Sequence, residues 1–249
     1  MKIAIIGAGA AGLAMAMRLR RAGHRDFTIL ERSDGIGGTW HDNRYPGAGC
    51  DVPSHLYCFS FAPKPDWHHK FARQAEIERY LQTCVERDGL APHLQLGTEV
   101  LGARFTSGRW HIRTSRGELT ADVLISGTGQ LNRPFVPALP GQGTFAGTQF
   151  HSARWDASFD PRGKRVIVIG NGASAAQLVP EIAPHVAQLT VMQRTPSYVF
   201  PRKDRAYRAV EKWCSATCRA GAACIAAGST GTSRRGSPRC SRTASWASC

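Results

Sequence analysis

The chain has 249 residues, 42% of them hydrophobic, enough to bury the core of one or two domains. Its formal net charge of +14 would suit nucleic acid or an anionic membrane, yet before residue 200 the basic residues are scattered through periodic segments and form no dense run. That distribution argues against a nucleic-acid partner and for an enzyme handling phosphorylated cofactors, and with no run of 18 apolar residues no membrane span is expected.

Lys2 to Ile6 reads as a short β-branched strand ending at Gly7, Ala10 to Arg21 as a helix stopped at Gly23, and Phe27 to Leu30 as a second buried strand. Strand, turn, helix and strand in this order make a βαβ unit. The apolar start, Ile3 to Met17, has the outline of a signal peptide, but its glycines have a better explanation. Gly7-Ala8-Gly9-Ala10-Ala11-Gly12 follows a strand and opens a helix, and Glu31 stands nineteen residues after Gly12. Gly7 permits the tight turn, Gly9 lets backbone approach a pyrophosphate, and Gly12 lets helix and strand pack closely. The helix N-terminus offers N–H groups and the positive end of its dipole to phosphates. Glu31 would accept hydrogen bonds from ribose hydroxyls. This is a dinucleotide site.

Asp34 to Asp66 is rich in Gly, Pro, Asn and aromatics without a period, and a loop that long in a compact domain is usually functional. Gln74 to Arg87 reads as an amphipathic helix with Ile77, Leu81, Cys84 and Val85 on one face. Val100 to Thr114 and Glu118 to Ser126 read as strands turning at Thr106-Ser107-Gly108 and Ser115-Arg116-Gly117, a small meander that then returns a strand to the parallel sheet. Residues 131 to 164 form a Pro/Gly-rich connector.

A second βαβ unit follows: strand Arg165 to Ile169, helix Ala173 to Ala183, strand Gln188 to Gln193. Its turn is Gly170-Asn171-Gly172-Ala173-Ser174-Ala175. Where an NAD site would carry an acid, twenty-two residues after Gly172, stands Arg194. A carboxylate there would repel a 2′-phosphate, whereas a guanidinium pairs with it, so NADP is favoured over NAD. Two dinucleotide sites in one chain imply a bound flavin and a diffusing nicotinamide, and hence an oxidoreductase.

From Lys212 to Cys249 the composition changes: six Lys/Arg, no Asp or Glu, and Ile225 as the only aliphatic branched residue. No helix or strand period is visible there, so a disordered basic segment is expected from residue 213. Of the eight cysteines, five lie between Cys214 and Cys249, and neither a CxxC pair nor a zinc spacing occurs. No metal site is expected, the cysteines are expected to be thiols, and their usage points to a reducing, cytoplasmic compartment.

Between the two glycine motifs lies Phe145-Ala146-Gly147-Thr148-Gln149-Phe150-His151-Ser152-Ala153-Arg154-Trp155-Asp156. It resembles the fingerprint of the Baeyer–Villiger flavin monooxygenases, F-x-G-x-x-x-H-x-x-x-W-P/D, with every fixed position filled. Heteroatom-oxidising flavin monooxygenases have a similar but distinguishable version. Gly37-Gly38-Thr39-Trp40, Asn43 to Ala48 and Cys50-Asp51-Val52-Pro53-Ser54 are similar to the family's flavin-ring loop, Ser126-Gly127-Thr128-Gly129 to its Gly-rich strand end, and Gln193-Arg194-Thr195-Pro196 to its NADP-phosphate segment. The resemblance covers about Met1 to Trp213 and is close to the branch acting on aryl ketones and steroids.

The resemblance implies an α/β fold of two Rossmann-like domains: an FAD-binding domain with a small β-meander at 1–140, a linker at 141–164, and an incomplete NADP-binding domain at 165–212. It implies FAD contacts from Gly7, Gly9, Gly12, Glu31, Gly38, Thr39, Trp40, Asp51, Val52 and Gly129. NADPH contacts would come from Gly170, Gly172, Ser174, Arg194 and Thr195. The candidate catalytic residues are Asp51 and His151. Asp51 would pair with an arginine that stabilises a negatively charged C4a-peroxyflavin, while His151 would shape or gate the linker rather than act as a base. The implied reaction inserts one atom of O2 into a ketone to give an ester or lactone. A heteroatom oxidase and a non-catalytic FAD-binding fragment are the alternatives. In the family the arginine, the rest of the NADP domain and the return to the flavin domain follow this point; the stretch after Trp213 resembles none of them, so Asp51 is expected to face an empty position. The composition break at that residue fits a change of reading frame in a GC-rich gene or a genuine basic tail.

Overall fold

The computed structural model of the chain describes residues 1–131 and 133–217. Strand β1 (Ile3–Ile6), helix α1 (Ala10–Arg21) and strand β2 (Phe27–Leu30) form the expected first βαβ unit. Helix α1 buries Gly12, Leu13, Ala16 and Met17, one stripe at helical spacing, and ends on Arg18, Arg20 and Arg21, whose charges suit a helix C-terminus. A short helix α2 (Thr39–Asp42) and a 3-10 turn at Ser54–Leu56 lie within the aperiodic loop. Helix α3 (Gln74–Arg87) buries Ile77, Tyr80, Leu81, Cys84 and Val85.

Strand β3 (Leu94–Gln95) is only two residues long, too short to show a period, and was not foreseen. The meander is β4 (Val100–Thr106), β5 (Arg109–Thr114) and β6 (Gly117–Ala121), after which β7 (Val123–Ser126) joins the main sheet. The order in that sheet is β3-β2-β1-β7 with Ile3 paired to both Phe27 and Val123, and the meander forms its own antiparallel sheet in the order β4-β5-β6. Asp122, between β6 and β7, accepts a bond from the Lys2 backbone N–H at 2.7 Å and so pins the returning strand to the chain start.

The second unit comprises β8 (Arg165–Ile169), helix α4 (Ala173–Ile182) and β9 (Gln188–Met192), with β8 and β9 parallel. Helix α5 (Ala209–Thr217) runs past the expected break at Trp213, which corrects the expectation of disorder from residue 213. The cause is local. Glu211 accepts the Arg208 backbone N–H at 2.8 Å and pairs with Arg205 at 2.6 Å, and the hydroxyls of Ser215 and Thr217 donate to carbonyls one turn back. The remainder of the expected basic segment, 218–249, lies outside the described residues.

The main core packs β1, β2, α1 and α3 around Trp67, Ile5, Leu13, Met17, Ile29, Ile77 and Leu90. A smaller cluster of Ala4, Leu30, Ile112 and Ala121 joins the sheet to the meander. A third joins Tyr45 and Ala48 of the long loop to Leu178 and Ile182 of α4, so the two units touch through that loop. Among the described residues no helix is long and apolar enough to cross a membrane, and Cys50, Cys58, Cys84 and Cys214 are free.

Candidate functional site

The first glycine loop is held by close backbone packing. Gly7 has φ +98°, which a residue with a Cβ rarely adopts, and a Cβ there would lie 2.6 Å from the Gly127 carbonyl oxygen. One on Gly12 would lie 1.9 Å from the Gly7 oxygen. Gly127, at the end of β7, thus closes the loop from behind, whereas Gly129 stands with φ +69° and open space where a side chain would be. Gly9 faces Gly38: a Cβ on Gly38 would approach the Gly9 Cα to 3.1 Å. Two glycine backbones therefore border the mouth of α1. No side chain caps that helix and its first turn holds no acid, so its N–H groups and dipole are left for an anion.

Glu31 is buried beside this loop. Its carboxylate accepts the Ala8 N–H at 2.6 Å and the Ser33 N–H at 2.9 Å, so it braces the loop as well as standing where a ribose would come. Thr39 and Trp40 begin α2 just after Gly37 and Gly38, whose φ values of +123° and +57° turn the chain into that helix. Trp40 Nε1 donates to the Tyr57 hydroxyl at 3.0 Å, beside an apolar recess of about 260 Å³ bordered by Ala10, Trp40, Tyr57, Phe59, Ile77 and Tyr80. Burial raises the Tyr57 and Tyr80 phenols, so both stay neutral. In α2, His41 lies 2.9 Å from Asp34 and 2.8 Å from Glu78. Burial alone would lower its imidazole, but the hydrogen bonds to the two carboxylates outweigh that and raise it.

Asp51 lies on the exposed rim of the loop, next to Val52, whose N–H donates to the Cys50 sulfur at 3.4 Å. It does not face an empty position. Gln177 Nε2 of α4 donates to it at 3.0 Å and the Arg202 guanidinium stands 3.9 Å away. Arg202 also lies 5.7 Å from the centre of the Phe71 ring, a cation–π distance that restrains it.

The second loop repeats the first with less packing. Gly170 has φ +108°, Gly172 caps α4 without a side-chain bond, no acid lies in the first turn, and neither glycine has anything within 4 Å of where a Cβ would be. Ser174 is in that first turn. Asn171 Nδ2 donates to Gln193 Oε1 at 3.0 Å and to the Thr195 carbonyl at 2.6 Å, which fixes the Gln193–Thr195 turn beside the loop. Arg194, in that turn, is exposed.

The linker segment folds into an aromatic knot. Phe150, Trp155 and Phe159 meet edge to face at 5.0, 5.3 and 6.1 Å between ring centres, and Trp155 packs on the Tyr45–Leu178 cluster. Phe145 lies over Gly147, where a Cβ would come 2.6 Å from its ring. His151 Nδ1 accepts the Ala153 N–H at 3.0 Å, the geometry of a turn cap rather than of a base aimed at a cleft.

Two contributors had no signal in the sequence: Gln177 and Arg202. Each is a residue type common on surfaces, and their partners lie more than a hundred positions away.

A family model for pyridine nucleotide-disulphide oxidoreductases matches residues 4–221. The chain is 53% identical over 213 residues to a Baeyer-Villiger monooxygenase of Streptomyces coelicolor, a match covering 85% of this chain and 41% of that protein. Among solved structures it is similar to cyclohexanone monooxygenase from Rhodococcus sp. Phi1 bound to NADP+, with a TM-score of 0.82 and 35% identity over 88% of this chain and 43% of that one. It is also similar to oxidized steroid monooxygenase bound to NADP, at TM-score 0.81 and 37% identity over 89% and 43%. The chain thus spans less than half the length of these relatives.

Proposed function

Because the chain belongs to the pyridine nucleotide-disulphide oxidoreductase family, we propose that it is the nucleotide-binding part of an FAD- and NADPH-dependent monooxygenase that inserts one oxygen atom of O2 into ketones. The observation that carries this reading is the pair of uncapped, acid-free helix N-termini behind glycine loops, joined through the loop that holds Asp51. FAD fits the first: the facing backbones of Gly9 and Gly38 leave no side chain between α1 and a pyrophosphate, and Glu31 has carboxylate lone pairs free for ribose hydroxyls. Gly7, Gly12, Thr39, Trp40, Val52 and Gly129 complete that site.

NADPH fits the second. Gly170, Gly172 and Ser174 present backbone and hydroxyl groups to its phosphates, and the turn that Asn171 fixes offers Arg194 and Thr195 to a 2′-phosphate. Bound flavin would accept hydride from the nicotinamide and supply the oxygen-activating chemistry that no side chain provides. The chain's own part is binding and orientation. Asp51 stands at the rim between the Arg202 guanidinium and the Gln177 amide that bonds it, and His151 shapes the linker. Residues 1–140 are the flavin unit, 141–164 the linker and 165–212 the nicotinamide unit, in a cytoplasmic setting.

The test compares the 249-residue chain with the same chain continued after Trp213 by the remainder of the Streptomyces relative. Both receive FAD, NADPH, oxygen and a panel of ketones and sulfides. We expect esters or lactones from the extended chain and none from the 249-residue chain, whose second sheet has two strands among the described residues. Sulfoxides without esters would favour a heteroatom oxidase, and silence from a folded, flavin-loaded extended chain would count against the enzyme assignment.

A further inference from the structure

Gln177 is the fifth residue of α4, the helix that opens at the second glycine loop. Its side chain nevertheless belongs to the first unit. Oε1 accepts the Tyr45 hydroxyl at 2.9 Å and the Gly49 N–H at 3.3 Å, while Nε2 donates to the Gly49 carbonyl at 2.9 Å and to Asp51 Oδ1 at 3.0 Å. An amide has two acceptor positions and two donor hydrogens, and all four are used on one loop. The contact is close elsewhere too. A Cβ on Gly47 would lie 2.5 Å from the Gln177 carbonyl oxygen, and Arg73 Nη1 bonds both the Gly47 carbonyl, at 3.3 Å, and Glu181 of α4, at 3.1 Å. Tyr45 and Ala48 are buried against Leu178 and Ile182.

Loop and helix therefore move as one body at this point, and a load on the N-terminus of α4 reaches Asp51 through a single residue. We propose that Gln177 is a positioning residue that couples nicotinamide-nucleotide binding at the Gly170–Gly172 loop to the Tyr45–Asp51 loop on the flavin side. The inference rests on the reading of the two loops as FAD and NADP sites. Nucleotide phosphate drawn to α4 orders the helix end. Gln177 passes that order to the Gly49 backbone and the Asp51 carboxylate, so each nucleotide binds more tightly when the other is present. Linkage requires the effect to be reciprocal.

The experiment measures FAD affinity of the 249-residue chain by flavin fluorescence, with and without saturating NADP+, and NADP+ affinity with and without FAD. For the unaltered chain we expect a reciprocal gain of about fivefold or more. Gln177→Leu keeps the volume and removes all four bonds. It should bring the gain within about twofold of none while each nucleotide alone still binds. Gln177→Glu keeps the acceptors and sets a second carboxylate against Asp51. Its gain should be absent at neutral pH and return in acid, where one proton shared between the two carboxyls remakes the bond, whereas Gln177→Leu stays flat. A purely structural role would give no such pH rescue. An unaltered gain in Gln177→Leu, or two nucleotides that bind the unaltered chain without influencing each other, would overturn the coupling and leave the nucleotide sites standing. Failure of the unaltered, folded chain to bind either nucleotide would overturn both readings.

Discussion

The two βαβ units are written in nearly the same letters and live in different surroundings. In the first, β1 lies between β2 and β7, and Ile3, Ile5 and Ile29 are all at or near full burial. In the second, β9 is the neighbour of β8 among the described residues, and Ile167 and Ile169 are 54% and 59% exposed. An unbroken apolar run such as Val166–Ile169 belongs to strands covered on both faces. Here the face toward α4 is covered, with Val166 and Val168 half-buried, and the other is open. The glycines differ in the same way. Gly7 and Gly12 are glycines because neighbouring backbone occupies the place of a side chain, while Gly170 needs only its positive φ and Gly172 has open space. A motif thus states a turn geometry. Its neighbours decide how much stability rests on each letter.

The comparison breaks most visibly if a buried isoleucine of β1 and an exposed one of β8 respond alike. Ile5→Ala should cost about 2–5 kcal/mol, the range for a buried aliphatic side chain that leaves a cavity. Ile169→Ala, at a position already in water, should stay within about 0.5 kcal/mol. Urea unfolding of both variants measures this, and equal losses would mean that the open face of β8 is covered in solution.

One glycine from each loop sharpens it. Gly12→Ala forces a methyl group onto the Gly7 carbonyl, an overpacking worth about 1–3 kcal/mol, and should cost FAD retention as well. Gly172→Ala adds a methyl to open space at φ −68° and should leave stability near that of the parent chain. If Gly12→Ala purified with a full flavin complement and an unchanged unfolding midpoint, the tight interlock of Gly7, Gly12 and Gly127 would be wrong.

Where sequence period and structure agree, the reason is length. α1 and α3 are long enough to show a 3.6-residue rhythm and β8 carries a continuous β-branched run before a glycine turn, and their expected bounds match the observed ones. The two residues of β3 carry no rhythm, and α2 follows from backbone angles at Gly37 and Gly38 rather than from its own side chains. The site divides in the same manner. Glycine loops and the fingerprint are local patterns and could be read directly. Gln177 could not, because a glutamine inside a helix has no local signature and its partners Tyr45 and Asp51 lie 132 and 126 positions away. Asp51 is expected from the resemblance to face an empty position, and nothing in the Pro201-Arg202-Lys203 stretch marks Arg202 as its neighbour.

The two loops should also differ in which cofactor charge they read. Arg194→Ala should weaken NADPH binding by about 1–3 kcal/mol and NADH binding far less, since only NADPH carries the 2′-phosphate that a guanidinium pairs with. FAD affinity measured without nicotinamide nucleotide should not change. Equal losses for NADPH and NADH would remove Arg194 from the phosphate site.

The smallest effect concerns how each loop is braced against pH. The second loop is tied by an amide, Asn171 to Gln193 and Thr195, which does not titrate. The first is followed by α2, where His41 sits between Asp34 and Glu78 with Arg44 at 3.0 Å from its Nδ1. Burial and the Arg44 charge oppose protonation, and the two carboxylates overcome them, so the folded imidazole holds its proton to higher pH than the unfolded one does. A raised histidine value stabilises the fold when the proton is on. The contribution is complete below about pH 6.5, the ordinary histidine value, and is lost as pH rises through the raised one. The melting midpoint should therefore fall slightly across neutrality, on the order of a degree or two. His41→Asn removes the titrating group and should flatten that part of the slope, while Asn171→Ala should lower the midpoint without altering the slope. Identical slopes in the parent chain and His41→Asn would show that His41 carries no net linkage to folding.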